Sequence, residues 1–145
     1  MRIALGCDHR GFKLKQAVME FLQQSGYSYH DFGCYSTESV DYPDFARKVG
    51  NAVASGEFDH GILICDTGIG MCIAANKIKG IRAALCHDTF TAKRARLHND
   101  ANILCLGENI EVNEAREIVK TYLSTTFEGG RHIPRLNKIK VLETG

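Results

Sequence analysis

The most informative stretch of this sequence is a cysteine followed by a glycine-rich turn. Cys65 ends an apolar run, and Asp66-Thr67-Gly68-Ile69-Gly70 follows it directly. Glycines at this spacing let successive backbone N–H groups converge, and the resulting concavity binds anions. The same surroundings favour the reactive thiolate form of a cysteine. The segment therefore predicts a reactive thiol beside an anion site, and the alternative is a tight turn that buries an inert thiol.

The neighbouring residues argue against three well-known phosphate-binding loops. A cysteine phosphatase loop needs arginine at the sixth position after the cysteine, where this chain has Met71. A P-loop needs Gly-Lys followed by Ser or Thr, and the turn lacks that sequence. A dinucleotide-binding fingerprint matches at Gly68 and Gly70, but Ile73 occupies the third glycine position. Asp88 lies about where the ribose-binding acid of that fingerprint would, so this match is weak but open.

A second candidate group lies near the C-terminus, in Gly129-Gly130-Arg131-His132-Ile133-Pro134-Arg135. Arg131 and Arg135 are four positions apart, so in a helix they would share one face. Two guanidinium groups on one face can hold a phosphate through bidentate hydrogen bonds. A solvated basic face explains the pair equally well. His98-Asn99-Asp100 is a third candidate group, which decides nothing by itself.

Strand and helix patterns alternate along the chain and would position these groups. Short apolar runs predict strands, and amphipathic stripes between them predict helices. The alternation predicts one α/β domain over residues 1–145, a Rossmann-like three-layer α/β/α arrangement with a five-stranded parallel sheet. The predicted strands are Ile3–Cys7, Tyr27–Phe32, Gly61–Cys65, Ile81–Cys86 and Ile103–Leu106, and a last helix carries Leu136, Ile139 and Leu142 on one side.

Strand ends select the same residues independently of any family. Ligands of open α/β sheets bind beyond the carboxyl ends of the strands. Those ends carry Asp8 and His9 after the first strand and the Cys65 turn after the third. They also carry Cys86-His87-Asp88 at the fourth strand and Glu108 and Asn109 after the fifth. We therefore expect the functional site at this edge of the sheet.

Composition narrows the class of function. Lys and Arg total 18 against 17 Asp and Glu, a net charge of +1, which argues against a nucleic-acid binder but not against a small anionic ligand. No uncharged run approaches the roughly 18 residues of a membrane span, and no export signal is recognised, so a cytoplasmic protein is expected. The six cysteines include no CxxC pair, and at least four fall within or at the ends of apolar runs, as expected for reduced, buried thiols.

In combination, these motifs resemble ribose-5-phosphate isomerase type B. The resemblance covers nearly the whole chain in order. The related galactose-6-phosphate isomerase subunits share the start and the glycine turn but lack the His-Asn-Asp and Gly-Gly-Arg-His motifs. The matching segments are Gly6-Cys7-Asp8-His9 with Gly11, Asp41-Tyr42-Pro43, Ile64 through Gly70 with Ala74-Ala75-Asn76-Lys77, His98-Asn99-Asp100, and Glu128-Gly129-Gly130-Arg131-His132 with Arg135.

The resemblance implies an aldose–ketose isomerase that acts on a phosphorylated sugar without metal or other cofactor. It implies Cys65 as the base between C1 and C2 and His98 as the acid–base group that opens the sugar ring. The N–H groups of residues 68–70, with Asn99, would stabilise the enediolate. The remaining implied roles are hydroxyl orientation by Asp8 or Thr67, phosphate binding by His9, Arg131 and Arg135, and a sugar-pocket contact by Tyr42.

Two positions depart from the family pattern. Asp66 stands where the family usually has glycine, and a carboxylate pointing at Cys65 would disfavour the thiolate. Asn109 stands where many members carry an arginine that reaches the phosphate across the subunit interface. We therefore expect weaker phosphate binding or a different substrate length. Some members use a glutamate just after the glycine turn as base; because Met71 stands there, the cysteine route remains.

The resemblance also implies a homodimer or dimer of dimers that shares its active site between subunits. Ribose 5-phosphate and ribulose 5-phosphate are the favoured substrates, and a six-carbon sugar phosphate such as allose 6-phosphate is the nearest rival. Two other classes stay open: a Rossmann-like nucleotide or phosphate-binding module without catalysis, and a redox-sensing protein with two thiols in bridging distance.

Overall fold

Five parallel strands form one sheet, with neighbours in the order β2-β1-β3-β5-β4, in a computed structural model that describes residues 1–144. The predicted strands and helices are present, and the predicted five-stranded parallel sheet is confirmed. The strands are β1 Arg2–Cys7, β2 Ser28–Asp31, β3 His60–Cys65, β4 Ala83–Leu85 and β5 Ile103–Gly107. The helices are α1 Phe12–Gln24, α2 Tyr42–Ala54, α3 Ile69–Ala75, α4 Thr89–Asn99, α5 Val112–Ser124 and α6 Ile133–Leu142, with a 3₁₀ helix at Gly130–His132.

Helices cover both faces of the sheet, which completes the three layers. On one face α1, α4 and α5 pack their apolar residues against the sheet, around the fully buried Tyr122. On the other face α2 and α3 pack against it, around the fully buried Met71. Because β3 has a helical layer on each side, all six of its residues are buried.

Three local features of the sequence set the ends of helices. The Asp88 carboxylate caps α4 by accepting the Thr91 N–H over 2.7 Å. Pro43 lies in the first turn of α2, where its missing N–H costs no helical hydrogen bond. Gly26 follows α1 with φ +79°, a conformation that L residues with side chains rarely adopt. These three features depend only on neighbouring residues.

Two sequence predictions are altered by the structure. The fourth strand is shorter than the predicted Ile81–Cys86, because β4 is an edge strand that pairs only with β5, over 83–85. Helix α6 forms, but none of its residues is buried, and Leu142 is 78% exposed. Its apolar stripe therefore does not contribute to the core of this chain. Within residues 1–144, no helix is both long and apolar enough to cross a membrane.

Candidate active site

The predicted site residues at the strand ends gather at the carboxyl edge of the sheet. β1, β3 and β5 are adjacent, with Cys7 paired to Ile64 and Cys65 paired to Gly107. The segments that follow these three strands therefore meet above one edge. They carry Asp8 and His9, the turn from Asp66 to Gly70, and Asn109, while Tyr42 joins them from the start of α2.

Cys65 occupies the centre of this edge. Its side chain is buried, and its Sγ accepts a hydrogen bond from the Gly68 N–H over 3.2 Å. Its carbonyl oxygen accepts the Glu108 N–H over 2.9 Å, which ties the turn to the end of β5. The sulfur is thus held in a defined position by backbone groups of its own turn.

Gly68 makes this arrangement possible in two ways. Its φ of +82° lies in the left-handed region, which favours glycine. A Cβ at this position would also lie 2.5 Å from a Leu85 methyl and 2.9 Å from the Leu106 carbonyl carbon. Both the φ angle and the close approach of the turn to β4 and β5 therefore require glycine at this position.

The rest of the turn is open to solvent. Asp66, Thr67 and Ile69 are exposed, and the Thr67 hydroxyl oxygen accepts the Ile69 N–H over 3.1 Å. A Cβ added at Gly70 would lie 2.6 Å from the Tyr42 ring, so the ring lies directly against the turn. The Gly68 N–H is directed at the Cys65 sulfur and the Ile69 N–H at the Thr67 hydroxyl, so two of the three N–H groups of residues 68–70 already have partners in the turn.

Asp8 and His9 are held by backbone N–H donors. One carboxylate oxygen of the buried Asp8 accepts the N–H groups of Arg10 and Gly11, over 3.0 and 3.1 Å. His9 Nδ1 accepts the Val40 N–H over 3.2 Å. A nitrogen that accepts carries no hydrogen, so the His9 ring hydrogen lies on Nε2, where it can be donated to an anion or hydroxyl.

Arg10 is a residue that the sequence analysis missed. Its guanidinium lies 3.3 Å from the Asp66 carboxylate and 3.4 Å from the Glu108 carboxylate, joining segments that follow β1, β3 and β5. The Asp66 carboxylate therefore has a cationic partner. The only signal in the sequence was an arginine directly after His9, and its partners lie 56 and 98 residues away.

The second and third candidate groups lie together at the opposite, amino edge of the sheet. α4 follows β4 in the chain and runs antiparallel to it. Asp100, directly after α4, pairs with Arg82, directly before β4, so the end of α4 lies beside the start of β4. His98, in the last turn of α4, therefore lies near the start of the strands. Its ring stacks on that of His132, with centroids 4.3 Å apart. Arg131 and Arg135, both exposed, lie in the 3₁₀ helix and α6 beside this pair.

Glu128 links the two histidines. Its carboxylate lies 3.7 Å from His98 Nε2 and 3.4 Å from His132 Nε2. Partial desolvation lowers the pKa of His98, the cationic surroundings of His132, Arg94 and Arg131 lower it further, and the Glu128 charge opposes them. Glu128 and His132 were part of the recognised motif, but the sequence assigned them no role.

Within one chain, the two halves of the predicted site are therefore separate. Cys65, Asp8, His9, Tyr42 and Asn109 lie at the carboxyl edge. Because α4 returns across the length of the sheet, His98 and Asn99 lie at the amino edge with Arg131 and Arg135. The chain brings together two clusters rather than one complete site.

The thiols near the site are unpaired. All six cysteines are free, and Cys7, Cys34, Cys65, Cys86 and Cys105 are buried while Cys72 is half-buried. The predicted burial of the cysteines in apolar runs is confirmed. Cys7 and Cys34 have their sulfurs 3.7 Å apart, and burial raises the pKa of Cys7 to about 12. Cys7 is therefore a thiol of the core and not a reactive group.

Comparison with known proteins identifies the family. A family model described as Ribose/Galactose Isomerase matches residues 3–139. The chain is 46% identical to ribose-5-phosphate isomerase B of Escherichia coli over 98% of this chain and 96% of that protein. It is 43% identical to a D-erythrulose-4-phosphate isomerase of Pectobacterium atrosepticum, over 99% of this chain and 95% of that one.

Solved structures agree with the sequence comparison. The structure of ribose-5-phosphate isomerase B from Clostridium thermocellum superposes with a TM-score of 0.98 at 51% identity, covering 99% of this chain and 98% of that one. Sequence and fold therefore agree along the full length of the described chain. The protein belongs to the ribose/galactose isomerase family and is an aldose–ketose isomerase.

Proposed function

We propose that the protein interconverts ribose 5-phosphate and ribulose 5-phosphate through an enediolate, with Cys65 as the base. The observation that carries this proposal is the position of the Cys65 sulfur. It lies at the carboxyl end of the central strand, held by the Gly68 N–H over 3.2 Å, below an exposed turn. A substrate resting on this turn would present its C1 and C2 to the sulfur.

The proton balance of the reaction defines what each group does. In the aldose-to-ketose direction, the Cys65 thiolate takes the proton from C2, and the C–H electron pair becomes the C1–C2 double bond while O1 gains the negative charge. The thiol then returns this proton to C1, and the hydrogen of the C2 hydroxyl moves to O1. Thr67 accepts the Ile69 N–H at its oxygen, so its own hydrogen is free to be donated to a substrate hydroxyl.

The enediolate needs hydrogen-bond donors at O1. Of the expected N–H groups, that of Gly68 is directed at the Cys65 sulfur and that of Ile69 at Thr67. The proposal therefore relies on the Gly70 N–H, with Asn99 as the side-chain donor. The buried Asp8 would orient the sugar hydroxyls through its carboxylate, which two backbone N–H groups hold in place.

Ring opening by His98 requires a second copy of the chain. In one chain His98 and Asn99 are at the edge of the sheet opposite Cys65. A two-fold dimer in which the amino edge of one copy meets the carboxyl edge of the other would form two complete sites. Exposed apolar side chains beside both clusters favour such an interface, since Ile69, Ile73 and Ile133 are each about half-exposed.

The phosphate would lie between the subunits in this arrangement. Arg131 and Arg135 are exposed and adjacent to His98, so in the partner copy they would approach His9, whose Nε2 hydrogen is free. Asn109 would contribute an amide where a charged group would bind more strongly. The relatives differ in substrate, since one is a ribose-5-phosphate isomerase and another a D-erythrulose-4-phosphate isomerase. Substrate length is therefore the variable to measure.

The test is turnover of four-, five- and six-carbon sugar phosphates by the purified protein in EDTA. We expect turnover with ribose 5-phosphate and its loss in Cys65→Ala, because that variant removes the base while keeping the buried position apolar. Cys72→Ala is the matched control, since Cys72 is a half-buried thiol on α3 to which the proposal gives no role.

The outcomes separate the parts of the proposal. Full activity in Cys65→Ala would contradict the thiol base. Turnover of only a four- or six-carbon phosphate would correct the substrate and keep the mechanism. A folded protein that binds sugar phosphates without converting any would support a binding module and overturn the proposed function.

A further inference from the structure

Three metal-ligating side chains lie together at the amino edge of the sheet, and the proposed reaction uses only one of them. His98, Glu128 and His132 each offer one ligand atom, and these atoms lie within 4.8 Å of one another. Two imidazoles and a carboxylate are a ligand set that zinc takes in proteins, with water as the fourth ligand. We propose that this His–Glu–His cluster binds a divalent transition-metal ion, with zinc as the type.

The distances in the cluster are close to those of a tetrahedral site. Metal–ligand bonds of about 2.0–2.1 Å place the ligand atoms about 3.3–3.4 Å apart. The Glu128 oxygen lies 3.4 Å from His132 Nε2 and 3.7 Å from His98 Nε2. The third distance, between the ring nitrogens of His98 and His132, reaches the tetrahedral value when the His98 ring rotates out of its stack on His132. His98 has the freedom to do so, since its side chain is 26% exposed against 6% for His132.

His132 provides a second, independent indication that this cluster binds a ligand. It is 5% exposed, and its Nε2 is a buried atom without a hydrogen bond among the described residues. Buried ring nitrogens are ordinarily hydrogen-bonded, so a buried nitrogen without a partner needs an explanation. It faces the Glu128 carboxylate, which is half-exposed and gives the cluster access to solvent. A metal ion would supply the partner that this nitrogen lacks.

The backbone holds the cluster together, while nearby cations limit its affinity. The Glu128 N–H donates to the Leu97 carbonyl over 3.0 Å, which fixes the Glu128 loop to the last turn of α4. Arg94 lies 3.3 Å from His98 Nε2, so an ion must displace its exposed guanidinium. Arg131 adds a second positive charge nearby. We therefore expect these two positive charges to weaken zinc binding.

The consequence for activity rests on the proposed function. An ion bound to His98 Nε2 would occupy the group that opens the sugar ring. The proposed isomerisation uses no metal, so zinc bound there would inhibit it, and EDTA would restore activity. Metal binding itself does not depend on this role of His98.

The binding test is a titration of the purified protein with Zn²⁺, measured by calorimetry, and with Co²⁺, measured by visible absorption. We expect one ion per chain, intensified Co²⁺ absorption from four-coordination, and no sulfur-to-cobalt charge-transfer band. Glu128→Gln and His132→Gln should each weaken binding at least tenfold, and the half-exposed Glu128 keeps the test valid where the buried His132 variant fails to fold. Glu114→Gln and His87→Gln, at exposed positions outside the cluster, should bind like the parent.

Each outcome decides the proposal. Absence of saturable binding, unchanged binding in Glu128→Gln, or a charge-transfer band that disappears in Cys65→Ala would overturn it. The activity arm is separate: we expect zinc at the binding concentration to inhibit ribose 5-phosphate turnover and EDTA to reverse the inhibition. A protein that binds zinc but isomerises nothing would refute the proposed function alone. An active isomerase without saturable zinc binding would refute the metal site alone.

Discussion

Cys65 and His98 lie at opposite edges of the same sheet in one chain: Cys65 ends β3 at the carboxyl edge, and His98 lies in the last turn of α4 at the amino edge. A reaction that needs both must draw them from two chains. The proposed dimer can therefore be tested through the activity of the enzyme.

Complementation between two inactive variants is the first prediction. We expect Cys65→Ala and His98→Ala to be inactive alone and to recover activity when co-expressed. Random two-fold pairing leaves half of the dimers mixed, each with one intact site, so activity should reach about a quarter of the parent value. Turnover of the separated mixed dimer is the measurement. Inactive mixed dimers, or an active monomer, would contradict a site shared between chains.

Gly68→Ala should damage both stability and activity. The added methyl meets a left-handed φ of +82° and lies 2.5 Å from Leu85, so we expect a loss of about 2–4 kcal/mol in the free energy of unfolding. Turnover should fall as well, because the Gly68 N–H would shift from the Cys65 sulfur. Gly26→Ala is the control: it has φ +79° but nothing within 4 Å, so the expected loss is only about 1 kcal/mol. Equal losses in urea unfolding would show that contact with β4 and β5 is unimportant.

Arg10→Ala should lower activity with little effect on stability. The pair with Asp66 is more than half exposed at both side chains, so its removal should change the free energy of unfolding by less than about 1 kcal/mol. Without Arg10, however, the negative charge of Asp66 is no longer neutralised and disfavours the Cys65 thiolate, so kcat/KM should fall by about 3–10-fold.

Asp66 provides the decisive control for this effect. In the double variant Arg10→Ala with Asp66→Gly, we expect kcat/KM to recover most of the parent value, because the carboxylate directly after Cys65 is gone and only that of Glu108 has lost its partner. Lys13→Ala, at an exposed position on α1, should behave like the parent. A double variant as impaired as Arg10→Ala would instead assign Arg10 to direct substrate contact.

His60 should make stability depend on pH between about 6.5 and 4. Burial, followed by the charge of Arg96, lowers the pKa of His60 from 6.5 to about 4. The unfolded chain binds this proton at higher pH than the folded chain, so stability is complete above about pH 6.5 and declines towards pH 4. The full loss is about 3 kcal/mol.

The measurement is urea unfolding at about pH 7.5 and pH 4.5, with His60→Asn for comparison. The Asn amide is bonded to Cγ as Nδ1 is, so it matches the ring atom that lies 3.0 Å from the Tyr122 hydroxyl. We expect the variant to lose less stability than the parent between these values. Parallel pH dependence in both proteins would assign the loss to other groups.

The sequence predicted which candidate residues meet at the carboxyl edge of the sheet, but not that the others lie at the amino edge. The strand ends and the glycine turn identified Asp8, His9 and the residues from Cys65 to Gly70, because strand ends converge in any parallel sheet. It could not find Arg10 as the partner of Asp66 and Glu108, because these residues are distant in the chain.

The features that follow directly from the sequence are local. The alternation of strands and helices, the Asp88 cap and the left-handed turn at Gly68 follow from periodicity and from the steric limits of neighbouring residues. Only the tertiary structure decided that His98 lies away from Cys65 and that the apolar stripe of α6 remains uncovered within the chain. These facts depend on strand order and on the direction in which α4 returns, which the packing of the whole sheet decides and no local pattern encodes.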